Sequence, residues 1–201
     1  SYVLALENGP NLDGMFIDEK EGGLSFRNYD KYLLLGGGGH RTGQKGGGYV
    51  ELEDFANKHY PSNKVKYSWA TQDCMSLDQL PYIGLHRRNT KHLYVTTGLN
   101  KWGMTGAMVG ALVLKDLVLT GTSEYESLFS PHRSIMRPAL FKNTFLSMAH
   151  LVCPGKRCSH LGCSLVWNQR EKSWDCPCHG SRFESDGSVA NSPAKKGVNI
   201  E

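Results

Sequence analysis

Two short segments near the C-terminal end contain the residues best suited to metal chemistry in this sequence. They read CSHLGC over residues 158–163 and CPCHGS over residues 176–181, and are called here the first and the second cluster box. Each box holds cysteine and histidine beside a glycine, and thiolates and imidazoles bind zinc and iron. Because no secretory signal precedes them, the clustered cysteines predict a metal site before they predict a disulfide scaffold.

A structural zinc site is the simplest alternative. Zinc knuckles favour pairs of cysteines that are separated by two residues. The spacings here are C-x4-C in the first box and C-x-C in the second, and both fit that pattern poorly. Cys74 and Cys153 lie outside the boxes, and a lone cysteine is more often a small buried hydrophobe than a reactive group.

Both boxes closely resemble those of the Rieske protein family, down to the strings HLGC and CPCHGS. The resemblance implies a [2Fe–2S] cluster in which Cys158 and Cys176 bind one iron, while His160 and His179 bind the other. Two neutral imidazoles replace two thiolates in such a cluster, so its reduction potential rises to about −150 to +300 mV, against about −400 mV for plant-type ferredoxins.

The same resemblance implies roles for residues around the ligands. Cys163 and Cys178 match the family's disulfide, which would join the boxes and contribute about 3 kcal/mol in the chain-entropy model. Ser181 would donate a hydrogen bond to a cluster sulfide, and Pro193 belongs to a segment that resembles the proline loop covering the cluster. Phe183 stands where high-potential respiratory members carry Tyr, so one hydrogen bond should be missing and the potential should be lower.

The segments before the boxes show alternating strand and helix patterns. The predicted strands, which are separated by turn residues, cover residues 4–6, 14–17, 32–35, 64–67 and 93–97. The predicted helices cover residues 52–59, 104–119 and 137–149, the second of them as a buried helix. A glycine tract over residues 36–48 contains no G-x-G-x-x-G, so it predicts no dinucleotide loop. A flexible loop and a functional loop both remain open there.

Residues 80–105 resemble the C-terminal part of the FAD-dependent amino-acid-oxidase (glycine oxidase/DadA-like) family, through LPYIG at 80–84 and LYVTTGLNKWGMT at 93–105. The resemblance implies that Gly98 ends a strand and that Gly103, Met104 and Thr105 contact the flavin at the start of a helix. Free N–H groups and the dipole at that helix start would favour the negative charge of a reduced flavin. The residues alone favour a buried helix that packs on a sheet, with glycine at a turn, and the resemblance shifts the preference to a flavin site.

These patterns predict the α+β fold class, an antiparallel sheet with helices followed by a small all-β cluster domain. We assign residues 1–122 to the C-terminal portion of an FAD-dependent oxidoreductase-like domain, 123–150 to a linker with a short helix, and 151–201 to an abbreviated Rieske domain. No nucleotide-binding βαβ unit is recognisable, and few strands precede the first box. We therefore expect a longer protein, in which FAD is bound, whereas this chain should hold FAD weakly or not at all.

Charge and composition narrow the function classes. The formal net charge is +4, from 23 basic and 19 acidic residues, and no basic stripe with interleaved aromatics indicates nucleic-acid binding. The sequence has no run of about twenty apolar residues and no basic leader at its start, so we predict neither a membrane span nor a signal peptide. A cytoplasmic location is expected.

The first hypothesis is an electron-transfer enzyme, in which FAD oxidises an unknown small-molecule substrate and the cluster passes electrons singly to a redox partner protein or a quinone. The alternative is a Rieske ferredoxin-like carrier whose first domain is a non-catalytic scaffold. A respiratory Rieske subunit is disfavoured because no membrane anchor is predicted. No catalytic residue is assigned, since Arg27, His40 and Tyr82 are each more often a solvated, a loop and a core residue than pocket residues.

Overall fold

The computed structural model describes residues 1–20 and 22–200 and consists of antiparallel sheets and helices, as the α+β class requires. Two compact units are present: residues 1–72 together with residues from 146 onward, and residues 73–145. The cluster boxes therefore belong to the same unit as the first 72 residues. These units are groupings in space, and the predicted domain boundaries at residues 122 and 150 stay predictions.

A five-stranded antiparallel sheet forms the main part of the first unit. Its strands are β1 (Tyr2–Glu7), β2 (Phe16–Ile17), β3 (Ser25–Tyr29), β4 (Tyr32–Gly37) and β5 (Lys64–Ala70). The strand order is β2-β3-β4-β1-β5. One helix, α1 (Tyr49–His59), packs against β1 and β4. The predicted strand at 14–17 is thus only two residues long, and β3 was not predicted.

Leucines at every second position of the central strands form the core between the sheet and α1. Leu4 pairs with Leu35 and Leu6 pairs with Leu33 across β1 and β4, and all four side chains are fully buried against Leu52 of α1. Because successive side chains of a strand point to opposite faces, the residues between these leucines face away from α1. That opposite face lines a cavity of about 420 Å³.

The second unit contains a two-stranded antiparallel sheet and a long helix. Its elements are β6 (Tyr82–Leu85), β7 (Tyr94–Thr97), α2 (Gly103–Thr120) and α3 (Glu126–Phe129). Ile83 of β6 packs against Val113 and Leu117 of α2 in a small core. Gly121 ends α2 in the left-handed conformation, which glycine adopts without a steric penalty.

α2 is far more exposed than the sequence predicted. Only Gly106, Gly110, Val113 and Leu117 are buried among its described residues, and the Met104 side chain is 90% exposed. The apolar composition of a helix does not reveal which neighbours cover it, so the prediction of a buried helix was wrong for this chain. Among the described residues, α2 is also the helix long and apolar enough to cross a membrane, with 17% of it buried. Core helices meet the same two criteria.

The cluster segment forms a four-stranded antiparallel sheet, which agrees with the predicted small all-β domain, and α4 (Pro138–Val152) precedes it. Its strands are β8 (Val166–Asn168), β9 (Ser173–Asp175), β10 (Arg182–Phe183) and β11 (Val189–Asn191). Their order is β11-β10-β9-β8. The first box precedes β8, and the second box lies between β9 and β10, so short antiparallel strands bring the two boxes together.

Arg133 lies in the segment assigned to the linker, residues 123–150, and makes a network of contacts within the second unit. Its guanidinium donates to both carboxylate oxygens of Asp78 at 2.7 and 2.8 Å and to the Leu80 carbonyl at 2.6 Å. It also lies 3.8 Å from the centroid of the Tyr82 ring. The side chains of Arg133 and Asp78 are 11% and 10% exposed. The hydrogen bonds from Arg133 hold the pKa of Asp78 below its ordinary value of 3.8.

Replacing Arg133 with Met should lower the free energy of unfolding by about 3–5 kcal/mol, because Asp78 is then left buried and unpaired. Arg137→Met removes the same charge from an exposed side chain and should change it by less than about 0.5 kcal/mol. Urea unfolding measures both values.

The loss of stability in Arg133→Met should depend on pH. Since the Asp78 pKa is lowered in the folded state, the pair stabilises the protein above the ordinary carboxyl pKa, and this stability is lost as pH falls through the folded pKa. The free energies of unfolding of the native protein and of Arg133→Met should therefore become similar at acidic pH. Adding Asp78→Leu to Arg133→Met should recover part of the loss at neutral pH. An Arg133→Met protein as stable as Arg137→Met would show that the buried pair contributes nothing to stability.

Candidate iron–sulfur site

The two cluster boxes fold into the same hydrogen-bonded loop. In each box the N–H of the first cysteine donates to the carbonyl of the sixth residue, at 2.9 Å in the first box and 2.8 Å in the second. The N–H of the fifth residue donates back to the carbonyl of that cysteine, at 2.9 and 3.0 Å. The fifth residues, Gly162 and Gly180, have φ of +75° and +84°, a conformation in which other residues are strained.

The sulfur atoms of the boxes meet between these loops. Cys158, Cys163, Cys176 and Cys178 are all buried. The Sγ atoms of Cys163, Cys176 and Cys178 lie within 4.8 Å of one another. All four are free thiols in the structure, so the disulfide predicted between Cys163 and Cys178 is not formed there. That pairing stays a prediction, and the two sulfur atoms are adjacent.

The two box histidines lie together on the outer side of the cysteines. The rings of His160 and His179 are perpendicular, with centroids 5.1 Å apart, and His179 is exposed. Nδ1 of His160 is buried and has no hydrogen-bond partner among the described residues. Since buried polar atoms normally have a partner, this nitrogen is suited to binding a metal ion. Partial burial, His160 and Arg41 lower the pKa of His179, which favours the neutral imidazole that a metal requires.

Burial disfavours negative charge on the box sulfurs. It raises the pKa of Cys176 to about 11 and that of Cys178 to about 11. The backbone N–H groups of Cys178 and His179 bind the Cys176 sulfur and oppose the rise. Thiolates at this position need a positive partner, which iron supplies when bound. The donors therefore fit a [2Fe–2S] cluster with cysteines inside and histidines outside, and the individual ligand assignments stay predictions.

The residues predicted around the cluster also converge on the boxes. Ser181 is fully buried, and its Oγ accepts the N–H of Ala194 at 3.0 Å, so its hydroxyl proton remains to be donated. Ala194 directly follows Pro193, and this hydrogen bond holds the proline segment beside the second box. Phe183 is fully buried in the apolar cluster that includes the box cysteines. These positions suit the predicted roles, which the structure does not test.

The predicted flavin residues surround the start of α2. Gly98 has a φ of +68° and turns the chain after β7. Asn100, which the sequence did not single out, is 8% exposed and fixes this turn. Its side chain accepts the Ser76 N–H at 2.8 Å and donates to the Gly98 carbonyl at 2.6 Å. An asparagine between turn residues gave no local signal of that role.

The N-terminus of α2 is open to a ligand. No side chain caps it, and the first N–H groups of a helix have no partner within the helix. Gly103 has no neighbouring atom within 4 Å of a built Cβ, while Met104 and Thr105 are exposed. An uncapped and accessible helix start fits the part of a flavin that becomes negative on reduction. Contact of these residues with FAD stays a prediction.

Two of the residues weighed as pocket residues differ in their surroundings. Arg27, expected to be solvated, lines the cavity on the open sheet face, whereas His40 lies in the loop after β4, as expected, and stacks on Tyr2 with ring centroids 5.4 Å apart. Arg41 and Gln72 were missed entirely, although both donate hydrogen bonds to the backbone of the second box. The glycine tract beside Arg41 was the only sequence signal in that region.

Family comparison agrees with this geometry. Residues 137–200 match the Rieske [2Fe-2S] domain, and residues 1–117, more than half of the chain, match the FAD dependent oxidoreductase family. The chain belongs to the FAD-dependent oxidoreductase family and carries a Rieske domain. The two matches imply a [2Fe–2S] cluster for the Rieske domain and FAD for the full-length protein, and the α+β architecture agrees with both matches.

Individual relatives cover the chain to very different extents. The Rieske 2Fe-2S iron-sulfur protein YhfW of Bacillus subtilis (strain 168) is 32% identical over 249 residues, which cover 98% of this chain and 48% of that protein. The cytochrome b6-f complex iron-sulfur subunit 1 of Synechocystis sp. is 57% identical over 37 residues, 18% of this chain and 21% of that subunit. Subunit 3 of Nostoc sp. is 54% identical over 37 residues, again 18% and 21%.

This chain therefore spans about half of the Bacillus relative and about a fifth of the cyanobacterial subunits. The 249-residue alignment is longer than the chain of 201 residues, so the Bacillus protein contains residues that this chain lacks. No solved structure matches the chain.

Cys158→Ser and His179→Ala should each abolish cluster binding, because each removes one of the predicted protein ligands. The matched control is Cys153→Ser, since Cys153 is exposed and lies outside the boxes. Iron and acid-labile sulfide per chain should be unchanged in the control and lost in the other two. Full iron and sulfide content in either ligand variant would refute the assignment.

Ser181→Ala should lower the reduction potential, and Phe183→Tyr should raise it, because hydrogen-bond donors favour the reduced cluster. A hydrogen bond worth about 1 kcal/mol corresponds to about 40 mV, by the relation of 59 mV per factor of ten for one electron. Protein-film voltammetry measures both shifts. Unchanged potentials in both variants would show that burial or net charge sets the value.

Proposed function

We propose that this protein is an electron-transfer oxidoreductase in which an FAD-dependent dehydrogenase or oxidase part supplies electrons to the Rieske cluster. The observation that carries the proposal is that the cluster boxes pack on the oxidoreductase sheet within one compact unit. Arg41, beyond the end of β4, donates to the carbonyls of Pro177 and Cys178 at 2.9 and 3.1 Å. A cluster fixed on the sheet is suited to accept electrons from the same polypeptide.

A largely buried polar network strengthens this attachment. Arg182 of β10 binds Asp175 at 3.0 Å and Glu171 at 3.3 Å. Glu171 also accepts the hydroxyl of Tyr49 at 2.6 Å, and Tyr49 is a core residue of α1. Burial and Glu171 raise the pKa of Tyr49, so the phenol remains a donor. The network therefore joins the cluster segment to the core of the sheet.

Electron balance defines the class of acceptor. Oxidation of a small amine or alcohol removes two electrons and two protons, and FAD supplies a two-electron acceptor when bound. A Rieske cluster carries one electron at a time, so the electrons leave in two steps. We propose a redox protein, or a quinone that takes up two electrons and two protons, as the final acceptor. A cytoplasmic location is part of the same proposal.

The open sheet face supports a small-molecule substrate. Its cavity of about 420 Å³ is lined by Val3, Leu34 and Trp69 among other apolar residues, and Arg27 is the charged residue among the described ones that line it. Apolar clefts with few polar groups are typical ligand sites. A substrate with an apolar body and one anionic group would suit this lining.

The full-length protein that contains this chain provides the test. Its flavin is reduced by light under anaerobic conditions with a sacrificial donor, and the reduced cluster is followed by EPR. We expect the cluster signal to grow as flavin absorbance recovers. In Cys158→Ser the flavin should stay reduced over the same time.

Two outcomes would contradict the proposal. A cluster that stays oxidised beside a reduced flavin would show that the two centres are not coupled. A full-length protein with full iron and sulfide but no flavin absorbance would favour a ferredoxin-like carrier on a non-catalytic scaffold.

A further inference from the structure

The glycine tract forms a closed loop, called here the glycine loop and defined as residues 38–48. The N–H of Gly48 donates to the Gly38 carbonyl at 2.9 Å, and the N–H of Gln44 donates to the Arg41 carbonyl at 3.0 Å. Gly38 has a φ of +57°, and a Cβ built on it would lie 2.5 Å from the Gly48 oxygen. The glycines are therefore required for this closure, and the loop has a defined shape between β4 and α1.

The glycine loop holds the backbone of the second cluster box. The Arg41 guanidinium donates through Nε to the Pro177 carbonyl at 2.9 Å and through its terminal nitrogen to the Cys178 carbonyl at 3.1 Å. A Cβ built on Gly43 would lie 2.9 Å from the Pro177 nitrogen, so only glycine allows this approach. Gln72, which lies two residues after β5, donates to the Gly180 carbonyl at 3.0 Å.

The two carbonyls that bind Arg41 belong to peptide groups that also contact the cluster cysteine. A peptide group is planar, with its C=O and the following N–H pointing in opposite directions. The Pro177 carbonyl shares its plane with the N–H of Cys178, and the Cys178 carbonyl shares its plane with the N–H of His179. Those two N–H groups therefore point away from Arg41, and backbone hydrogen bonding from them lowers the pKa of the Cys176 thiol. Arg41 thus binds the carbonyl oxygens of both peptide groups, while the N–H groups of the same peptide groups face the Cys176 sulfur.

This arrangement has two physical consequences. The fork of a guanidinium fixes two acceptors at once, so the orientation of both N–H donors toward the sulfur is fixed as well. Hydrogen bonds in series also polarise one another, so a cation on the carbonyl side strengthens N–H donation on the sulfur side. Stronger donation to sulfur stabilises the reduced form of an iron–sulfur cluster.

We infer that Arg41 is a positioning residue of the iron–sulfur site, which orients and polarises the two peptide groups that bind Cys176 and thereby raises the reduction potential of the cluster. The inference rests on the cluster being bound by the boxes and does not require electron transfer from a flavin. It also gives the glycine loop a function, since the loop delivers Arg41 from the oxidoreductase sheet to the second box.

The test compares three variants of the full-length protein with the native form. Arg41→Met removes the charge and both hydrogen bonds, whereas Arg41→Lys keeps the charge without the planar fork. Lys45→Met is the control, because Lys45 is an exposed cation of the same loop. Reduction potentials are measured by EPR-monitored titration, with iron and sulfide content as the measure of loading.

We expect the potential to fall in the order native, Arg41→Lys, Arg41→Met, while Lys45→Met keeps the native value. A tenfold loss of electron affinity in Arg41→Met corresponds to about 59 mV. A further readout is the EPR line shape, which should change in both Arg41 variants because the donors to the sulfur are reoriented.

Three results would overturn the inference. A native potential in Arg41→Met would show that the hydrogen bonds from Arg41 do not tune the cluster. Equal shifts in Arg41→Met and Lys45→Met would show that only the net charge of the loop matters. Loss of the cluster from both Arg41 variants, with normal loading in Lys45→Met, would make Arg41 a structural residue without a tuning role. A failure of flavin-to-cluster transfer alone would leave these potentials unaffected.

Discussion

The burial of the box thiols is the constraint on which the cluster segment depends. A thiolate in this environment is costly, and the pKa of Cys176 is raised to about 11 by burial. Its negative charge must be compensated by a bound cation and by N–H dipoles directed at the sulfur. In the second box the N–H groups of Cys178 and His179 act as such dipoles, and Gly180 allows the backbone to turn there.

The oxidoreductase sheet acts as the platform for these loops. Leucines of β1 and β4 bury α1 against the sheet, and α1 presents Tyr49 to Glu171 of the cluster segment. On the same unit, the glycine loop presents Arg41 to the second box. The apolar core thus fixes α1 and the sheet, and polar contacts from both hold the cluster segment and the peptide groups around Cys176.

The sequence predicted what depends on local pattern. The boxes were readable because ligand types, glycines and spacing lie within six residues, and β1, β4 and α1 were readable from apolar periodicity. β3 was missed because its residues, SFRNY, are mostly polar. The exposure of α2 and the contacts of Arg133 depend on partners far along the chain. Arg41 meets Pro177 across 136 residues, and such a pairing leaves no local signal.

The central claim is that two cysteines and two histidines of the boxes share one cluster. Pulsed EPR of the dithionite-reduced protein, grown with 15N-labelled histidine, tests it most directly. We predict strong couplings from two histidine nitrogens in the native protein. A reduced cluster without histidine couplings would indicate all-cysteine ligation, and a protein that binds zinc with no EPR signal would indicate a structural metal site. Either result would contradict the shared cluster.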